Sequence, residues 1–480
     1  MKKTLLLFVF VLTALLAKAQ GNDIIVVEDA NTQTAYVTFK TDKNGNRISN
    51  SYSGDVVIPE KTASGYPVTF INHETFEGCI NLTSVTIPKT MKFIDYDAFR
   101  NSSLTELTIP ASVDSISEGA FFGMPSLKKV VFEDGESVLH FACGQQYGGE
   151  GQFSFKHQES LEEAYIGRTY TTTWGDKGHL DAPLFKMSES IKKVTFGDYV
   201  KAVNPDDFIR CYKLETVVFG KGIETIGESA FEHCEKLSSI NLAEGVKRIE
   251  KEAFYECTAA TTLSLPQTLE YIGWAAFENC KSISELTIPA SVTKIEDEAF
   301  LYMESLKKVT IADGTSDLLM GYGMSYGGEG MFKRQPLEEA YLGRTIVSEA
   351  SGLFRGNETL AKVTVGQDVK SLNTREFAYC DKMASISTLA VVPPACQSST
   401  FADIDKSACK LTVPAGTVDA YKVAEGWKEF FNIEAGINGV QAGAANVIES
   451  YTLNGRRTTD SHRGLTIQRT SNGFRKIVVR

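Results

Sequence analysis

The sequence is poor in the residue patterns that build common catalytic and metal sites. Its 480 residues include six histidines and three tryptophans, and no two histidines form an H-x-x-x-H pair. It also lacks C-x-x-C and G-K-[ST] patterns. These absences argue against common zinc sites and a P-loop. We therefore expect no catalysis, no metal and no cofactor, although 60 acidic residues must form carboxylate pairs by chance.

Long apolar runs are missing after the first twenty residues, so no integral membrane segment is expected. Residues 1–20 combine two early lysines, an apolar run from Leu5 to Leu16 and small residues before Gln20, the pattern of a signal peptide. A lipid anchor would need a cysteine just after that run, and the first cysteine is Cys79. The sequence predicts an extracytoplasmic protein, either secreted or attached to the outer cell surface.

Basic residues are also fewer than acidic ones, 49 against 60. The formal net charge is −11, and it becomes −14 if residues 1–20 with their three lysines are removed. An acidic body repels phosphate backbones, so nucleic acid is not an expected partner.

One phrase dominates the chain and returns about every 23 residues, as in "IGESAFEHCEKLSSINL" at 226–242 and "IGWAAFENCKSISELTIP" at 272–289. Each copy has a phenylalanine, an aliphatic residue five positions earlier, often a cysteine three later, and an alternating "L-x-x-V-x-I" segment. A fixed period in the twenties is typical of a solenoid. The alternation predicts a short strand in every coil, and successive strands should pair in parallel. The "A-F-x-x-C" segment has the spacing of a helical turn or two.

These residues resemble the BspA-type leucine-rich repeat, also called the Treponema pallidum type, of Bacteroidetes surface proteins. The resemblance implies a curved α/β solenoid with a parallel β-sheet on one face and a secreted or surface location, and some relatives bind host proteins. It divides the chain into a signal peptide (1–20), an N-terminal β-hairpin cap (21–67), the solenoid (68–433), a linker (434–446) and a short C-terminal β module (447–480). Inserts interrupt the solenoid near 136–183 and 315–350.

A longer repeat is also present, because blocks of about 170–180 residues are duplicated. "ELTIPASVDSISEGAFFGMPSLKKVVFEDG" at 106–135 returns at 285–314, and "LEEAYIGR" at 161–168 returns as "LEEAYLGR" at 337–344. The motif YGGEG occurs at 147–151 and 326–330, in the same insert of both blocks. It lacks the spacing of a nucleotide-binding loop. It is read first as an irregular, glycine-rich coil, and second as a partner-binding loop.

The candidate ligand-binding residues lie in or beside these inserts. Glutamate and tyrosine stand on the outward positions of the duplicated "EEAY" strands and in the YGGEG loops. Tyrosine on a polar sheet is a plausible anchor for a partner, although it could instead pack under the neighbouring insert. The candidates are Tyr147, Glu150, Glu163, Tyr165, Tyr326, Glu329, Glu339 and Tyr341. The partner is predicted to be an extracellular host or microbial protein, or alternatively a surface glycan.

The nine cysteines show no metal-binding pattern. Six of them occupy the position three residues after the repeat phenylalanine, so stacked coils should bury them as a ladder of small free thiols. They are Cys79, Cys211, Cys234, Cys257, Cys280 and Cys380. Cys396 and Cys409 lie outside this ladder, and a disulfide between them is left open.

The tail at 447–480 departs from the repeat and carries an excess of basic residues. Its turn-forming "NG", "RG" and "NG" pairs predict three short strands. It resembles the C-terminal sorting modules of Bacteroidetes secretion, and a basic patch for acidic surface polysaccharide is the alternative.

Overall fold

The chain winds into successive coils that stack on one another, as seen in a computed structural model. The structure describes residues 24–143, 155, 158–174, 179–180, 183–321, 330–348 and 352–436, together with four strands between 447 and 479. Most coils contribute a strand to a wide ladder, a strand to a narrow ladder and a run of tight turns to a third side, here called the turn face. Mostly parallel strands in stacked coils confirm the predicted leucine-rich-repeat solenoid.

The wide ladder is built from the alternating "L-x-x-V-x-I" segments, and every pairing within it is parallel. Apolar side chains at alternate positions are buried and the others face outward, as the period of a strand requires. The strands are Gly54–Val57, Leu82–Thr86, Glu106–Ile109, Lys129–Phe132, Glu163–Arg168, Lys193–Tyr199, Thr216–Val218, Ser239–Asn241, Thr262–Ser264, Glu285–Ile288, Lys308–Ile311, Glu339–Arg344, Lys362–Asp368, Ser385–Thr388, Lys410–Val413 and Asn432–Ala435.

The narrow ladder is a second set of mainly parallel strands, centred on the aliphatic residue five positions before the phenylalanine. Many of its strands are only two residues long. They are Ile25–Asp29, Thr34–Thr38, Val68–Ile71, Phe93–Ile94, Ser115–Ile116, Leu139–Cys143, Tyr170–Trp174, His179–Leu180, Ala202–Val203, Thr225–Ile226, Arg248–Ile249, Tyr271–Ile272, Lys294–Ile295, Leu318–Met320 and Ile346–Ser348. The sequence predicted the wide ladder and did not predict this one.

The turn face consists of tight turns around the phenylalanine, so the helical turn predicted for "A-F-x-x-C" was wrong. The backbone there hydrogen-bonds to the next coil: the Phe231 N–H donates to the Ala253 carbonyl at 2.8 Å, and the Phe254 N–H donates to the Ala276 carbonyl at 2.9 Å. Apart from Gln33 and Asn50, every described non-glycine residue with positive φ lies two positions before or after one of these phenylalanines. Regular left-handed residues prevent a helix from continuing.

The interior of the stack is an unbroken column of phenylalanine rings. Successive ring centroids are 5.0–6.4 Å apart, and Phe155 and Phe332 carry the column through the two inserts. Tyr52 contacts the first ring and Trp427 the last. The column comprises Phe76, Phe99, Phe121, Phe155, Phe185, Phe208, Phe231, Phe254, Phe277, Phe300, Phe332, Phe354, Phe377 and Phe401. One apolar core therefore runs through both duplicated blocks.

In many coils the slot three residues after the phenylalanine holds a hydrogen-bond donor as well as a small side chain, whereas Met124 and Met303 fill it in two others. The thiol of Cys257 donates to the Phe231 carbonyl of the preceding coil at 3.3 Å, and its equivalents at 211, 234, 280 and 380 do the same. Where cysteine is missing, the amides of Gln335 and Asn357 donate to the matching carbonyls at 2.7 and 2.6 Å. Five of the six ladder cysteines are thus satisfied donors and not only an apolar filling.

Thiol labelling should therefore spare the ladder in the native protein. Cys234, Cys257 and Cys280 are fully buried, and burial raises the pKa of Cys280 to about 12, so the reactive thiolate is scarce. Cys396 is the only half-buried thiol among the eight cysteines whose side chains are described, and it should react first. Residue-resolved mass spectrometry after a short iodoacetamide pulse measures this. Fast native labelling of the three buried cysteines would contradict it.

The two ends of the stack depart from the repeat. Ile25–Asp29 and Thr34–Thr38 form an antiparallel hairpin at the N-terminal end. At the other end are an α-helix at Val418–Val423 and 3₁₀ helices at Ser398–Phe401 and Trp427–Glu429. Beyond them lies a four-stranded antiparallel sheet, one strand more than predicted, formed by Val447–Thr452, Arg457–Thr458, Gly464–Thr470 and Gly473–Val479. Cys396 and Cys409 are both free thiols, so the disulfide that was left open is not formed.

Candidate functional site

The two "EEAY" tyrosines are held on the wide ladder by equivalent aspartates. The Tyr165 hydroxyl donates to Asp134 Oδ1 at 2.8 Å, and the Tyr341 hydroxyl donates to Asp313 Oδ1 at 2.5 Å. Each aspartate belongs to the "DG" turn that ends the preceding wide strand. Both rings stay half-buried and so keep part of their surface at the solvent. Fixed, half-exposed tyrosines make good recognition anchors because little side-chain freedom is left to lose.

A glycine allows the backbone of each "DG" turn to approach the tyrosine strand closely enough for these contacts. Gly167 lies in the Tyr165 strand, and a Cβ there would be 2.5 Å from the Asp134 backbone nitrogen. Gly343 stands in the same relation to Asp313, also at 2.5 Å. Any larger residue would push the "DG" turn away from the tyrosine. The glycine of "AYIGR" and "AYLGR" is thus explained by close backbone approach.

Charged rows flank both tyrosines in the same register. In the strand register, Glu163 lies between Lys129 of one neighbouring strand and Lys193 of the other. Glu339 lies in the same way between Lys308 and Lys362. The Lys362 ammonium is 3.1 Å from the Glu339 carboxylate.

We call these surfaces the first patch, formed by Lys129, Glu163, Tyr165, Lys193 and Thr195, and the second patch, formed by Lys308, Glu339, Tyr341, Lys362 and Thr364. A depression of about 200 Å³ covers the first patch. A Lys–Glu–Lys row beside a tyrosine presents both signs of charge, which suits a mixed polar surface better than a polyanion.

The anchoring aspartates also change the acidity of the tyrosines. Burial, followed by the hydrogen bond to Asp134, raises the pKa of Tyr165 to about 12. The same causes, with Asp313 as partner, raise the pKa of Tyr341 even further. Both hydroxyls therefore stay protonated and act as donors throughout the physiological range.

Four of the eight sequence-predicted residues can be placed. Glu163 and Tyr165 lie on one wide strand, and Glu339 and Tyr341 on another. The other four, Tyr147, Glu150, Tyr326 and Glu329, lie outside the described residues.

Two buried arginines support the patches from behind, and sequence reasoning missed them. Arg168 is fully buried and donates to the carbonyls of Pro110 and Ala111 at 3.1 and 2.9 Å. Arg344 donates to Pro289 and Ala290 at 3.0 and 2.8 Å. Burial lowers the pKa of both guanidinium groups. They tie each tyrosine strand to a loop more than fifty residues earlier, and the repeated "GR" was the available signal.

The two blocks differ at one buried carboxylate. In the first block Asp207 accepts hydrogen bonds from the Tyr170 hydroxyl and from the Asn204 N–H. The second block has Glu376 in that slot and Ile346 in place of the tyrosine.

Glu376 is 1% exposed, and neither of its carboxylate oxygens makes a hydrogen bond. A cavity of about 10 Å³, room for a single water, lies between it and Arg344. Burial raises the pKa of Glu376 to about 7.

A second depression, of about 410 Å³, lies on the narrow ladder and was not predicted. Its lining includes Trp274, Leu319 and Val347, with Lys294 and Glu296 paired at 2.8 Å on its rim. Leu319 and Val347 are 50% and 44% exposed. The Lys251 ammonium lies over the Trp274 ring, 5.4 Å from the ring centroid, so this tryptophan is not an open platform for a sugar.

Comparison with known proteins gives a consistent family. The model of the BspA type leucine rich repeat region matches in six copies, over residues 55–144, 179–307 and 276–406, which is more than half of the chain. Among curated proteins, none matches.

Three solved structures illustrate the likeness. A leucine-rich repeat protein from Bacteroides ovatus is 19% identical, with 88% of this chain and 100% of that chain covered and a TM-score of 0.40. The Treponema pallidum leucine-rich repeat protein is 24% identical over 39% of this chain and 77% of that one, with a TM-score of 0.28. A leucine-rich cell surface protein from Faecalibacterium prausnitzii is 18% identical, over 86% and 94% of the chains, with a TM-score of 0.28.

No helix in the described part of the chain is long and apolar enough to cross a membrane. The repeated phenylalanine, the donor slot and the family match lead to the same assignment. This chain belongs to the BspA-type leucine-rich repeat family.

Proposed function

We propose that the chain is an extracytoplasmic, adhesin-like binding protein without catalysis, which recognises another protein through the first and second patches. The observation that carries this proposal is their duplication: each patch has the same tyrosine, the same anchoring aspartate and the same flanking Lys–Glu–Lys row. Regular coils offer near-identical polar rows with little to distinguish one partner from another. The two patches depart from this regular surface at two fixed positions along the stack.

The spacing of the patches suits one large or bivalent partner. Seven steps of the wide ladder separate the strand Glu163–Arg168 from the strand Glu339–Arg344. At about 4.8 Å a step, the two tyrosines are about 34 Å apart along the stack. Simultaneous engagement of both patches would add avidity without any new type of contact.

A surface glycan is the alternative ligand. Glycan recognition relies on exposed aromatic faces, whereas both patch tyrosines are tied down by their hydroxyl groups and Trp274 is covered by Lys251. Mixed charge beside a half-buried tyrosine is typical of protein interfaces. Protein recognition is therefore the better supported function.

The test is affinity after removal of the anchors. The mature chain is screened against arrays of extracellular-matrix proteins and glycans, and the strongest ligand is measured by surface plasmon resonance. Tyr165→Ala and Tyr341→Ala should each weaken binding, and the double variant should weaken it by about tenfold or more because buried tyrosines are frequent hot spots.

Tyr212→Ala is the matched control, since Tyr212 is 44% exposed and lies outside both patches. Circular dichroism must show an intact fold in every variant. A double variant that keeps its affinity within a factor of two would show that the patches do not bind the partner. If the strongest ligand is a glycan, the alternative function takes its place.

A further inference from the structure

Three metal-ligating side chains from two adjacent coils converge on the turn face, away from the patches. They are His233, Glu235 and Glu256, and each offers a ligand atom within 4.8 Å of the others. His233 Nδ1 is 2.9 Å from a carboxylate oxygen of Glu256. No sequence pattern indicated this cluster, because its members lie on two coils and form no short motif.

The backbone holds the imidazole in place. His233 has a positive φ of 57°, and its N–H donates to the Tyr255 carbonyl of the next coil at 2.8 Å. The Tyr255 ring contacts the imidazole edge-on, with centroids 5.6 Å apart. The coil that contacts the imidazole through Tyr255 therefore also presents the Glu256 carboxylate to it.

The two imidazole nitrogens face different carboxylates. Nδ1 faces Glu256, and Nε2 lies 3.6 Å from Glu232. A histidine that binds a metal through one nitrogen usually offers its other N–H to a carboxylate, which fixes the tautomer. Glu232 is the carboxylate on that side of the ring, just beyond hydrogen-bond distance.

The local charge also favours a cation. Three glutamates surround one histidine, and none of them forms an ion pair with a lysine or arginine among the described residues. Neutral imidazole with carboxylate oxygens is a donor set that zinc accepts readily, whereas calcium and magnesium prefer oxygen alone.

We propose that His233, Glu235 and Glu256 bind a divalent transition-metal ion of the Zn²⁺ type, with His233 Nδ1 and one oxygen of each carboxylate as ligands. Three protein ligands leave a fourth position for water. The ion would join the coil of Phe231 to the coil of Phe254 and so stabilise the folded stack by linkage. This site does not depend on the proposed function of the patches.

The test is titration of the metal-free mature chain with ZnCl₂, followed by isothermal calorimetry and thermal unfolding. We expect the wild-type chain to bind one ion at this site with micromolar affinity, and to unfold at a higher temperature when loaded. A Co²⁺ spectrum with visible d–d bands would report tetrahedral coordination independently.

His233→Asn and Glu256→Gln should each weaken the site by about tenfold or more. Asparagine suits the left-handed backbone at position 233, so the first variant should fold. His73→Asn is the matched control, because His73 is a surface histidine 4.0 Å from a single carboxylate, that of Asp95.

Loss of binding in His233→Asn and Glu256→Gln, with full binding in His73→Asn, supports the proposal. Three results would each overturn it: the absence of binding at millimolar Zn²⁺, full retention of the site in His233→Asn, and Mg²⁺ or Ca²⁺ binding as tight as Zn²⁺. The last of these would mark a diffuse acidic surface.

Discussion

Replacement of Phe254 by alanine should lower the free energy of unfolding by about 3–5 kcal/mol, the usual cost of removing a buried aromatic ring. Phe254 is fully buried, and its ring stacks between Phe231 and Phe277 at centroid distances of 5.2 and 5.5 Å. Neighbouring coils are fixed by three hydrogen-bonded faces and cannot close in to fill the cavity. Urea denaturation followed by circular dichroism measures the effect.

Phe431→Ala is the control for this prediction, because Phe431 is 84% exposed and lies outside the column. It should change the free energy of unfolding by less than about 0.5 kcal/mol. An unchanged midpoint in Phe254→Ala would mean that the column does not carry the stability of the stack. The coils of a solenoid can unfold separately. The denaturation midpoint should therefore be measured with a local probe near the centre of the chain as well as by circular dichroism of the whole chain.

Glu376→Gln should stabilise the protein at neutral and alkaline pH. The pKa of Glu376 is raised by burial to about 7 in the folded chain, from an ordinary value of 4.5. Between these values the folded state holds a proton that the unfolded state has lost, so the free energy of unfolding falls as the pH rises through that window. The full loss above the folded pKa is about 3 kcal/mol.

Glutamine keeps the shape of glutamate and cannot ionise. We therefore expect the variant and the wild type to differ little at about pH 4.5 and to differ by about 2–3 kcal/mol at about pH 8. Exposed Glu358→Gln is the control and should show no such divergence. If the wild type and Glu376→Gln respond to pH in parallel, a hydrogen-bonded partner must satisfy the carboxylate, and the cavity beside Arg344 must hold it.

The sequence was sufficient for features that repeat. The phenylalanine period predicted the column, and the alternation in "L-x-x-V-x-I" predicted the wide ladder. The narrow ladder was missed because strands such as Thr225–Ile226 are two residues long and have no alternation to detect. The helical turn was wrongly predicted because left-handed residues such as Glu252 and Glu256 carry ordinary side chains, and nothing in their identity signals positive φ.

Only the outward-facing residues of the candidate site could be predicted from the sequence. Tyr165 and Tyr341 could be found from duplication, since each stands at an outward strand position. Their aspartate partners lie 31 and 28 residues earlier and could not be paired with them before the coils were stacked. Glu376 resembled any other glutamate until the loss of the Tyr170 equivalent was visible across the fold.

The hydrogen bonds of all three faces run from coil to coil, so a pull on the two ends of the chain loads them in series. Under such tension a terminal coil should detach first, and each detachment frees about 23 residues. A fully extended segment of that length spans about 80 Å. A load on the two ends would then be absorbed by extension in steps of nearly that size, while the coils that are still stacked stay intact.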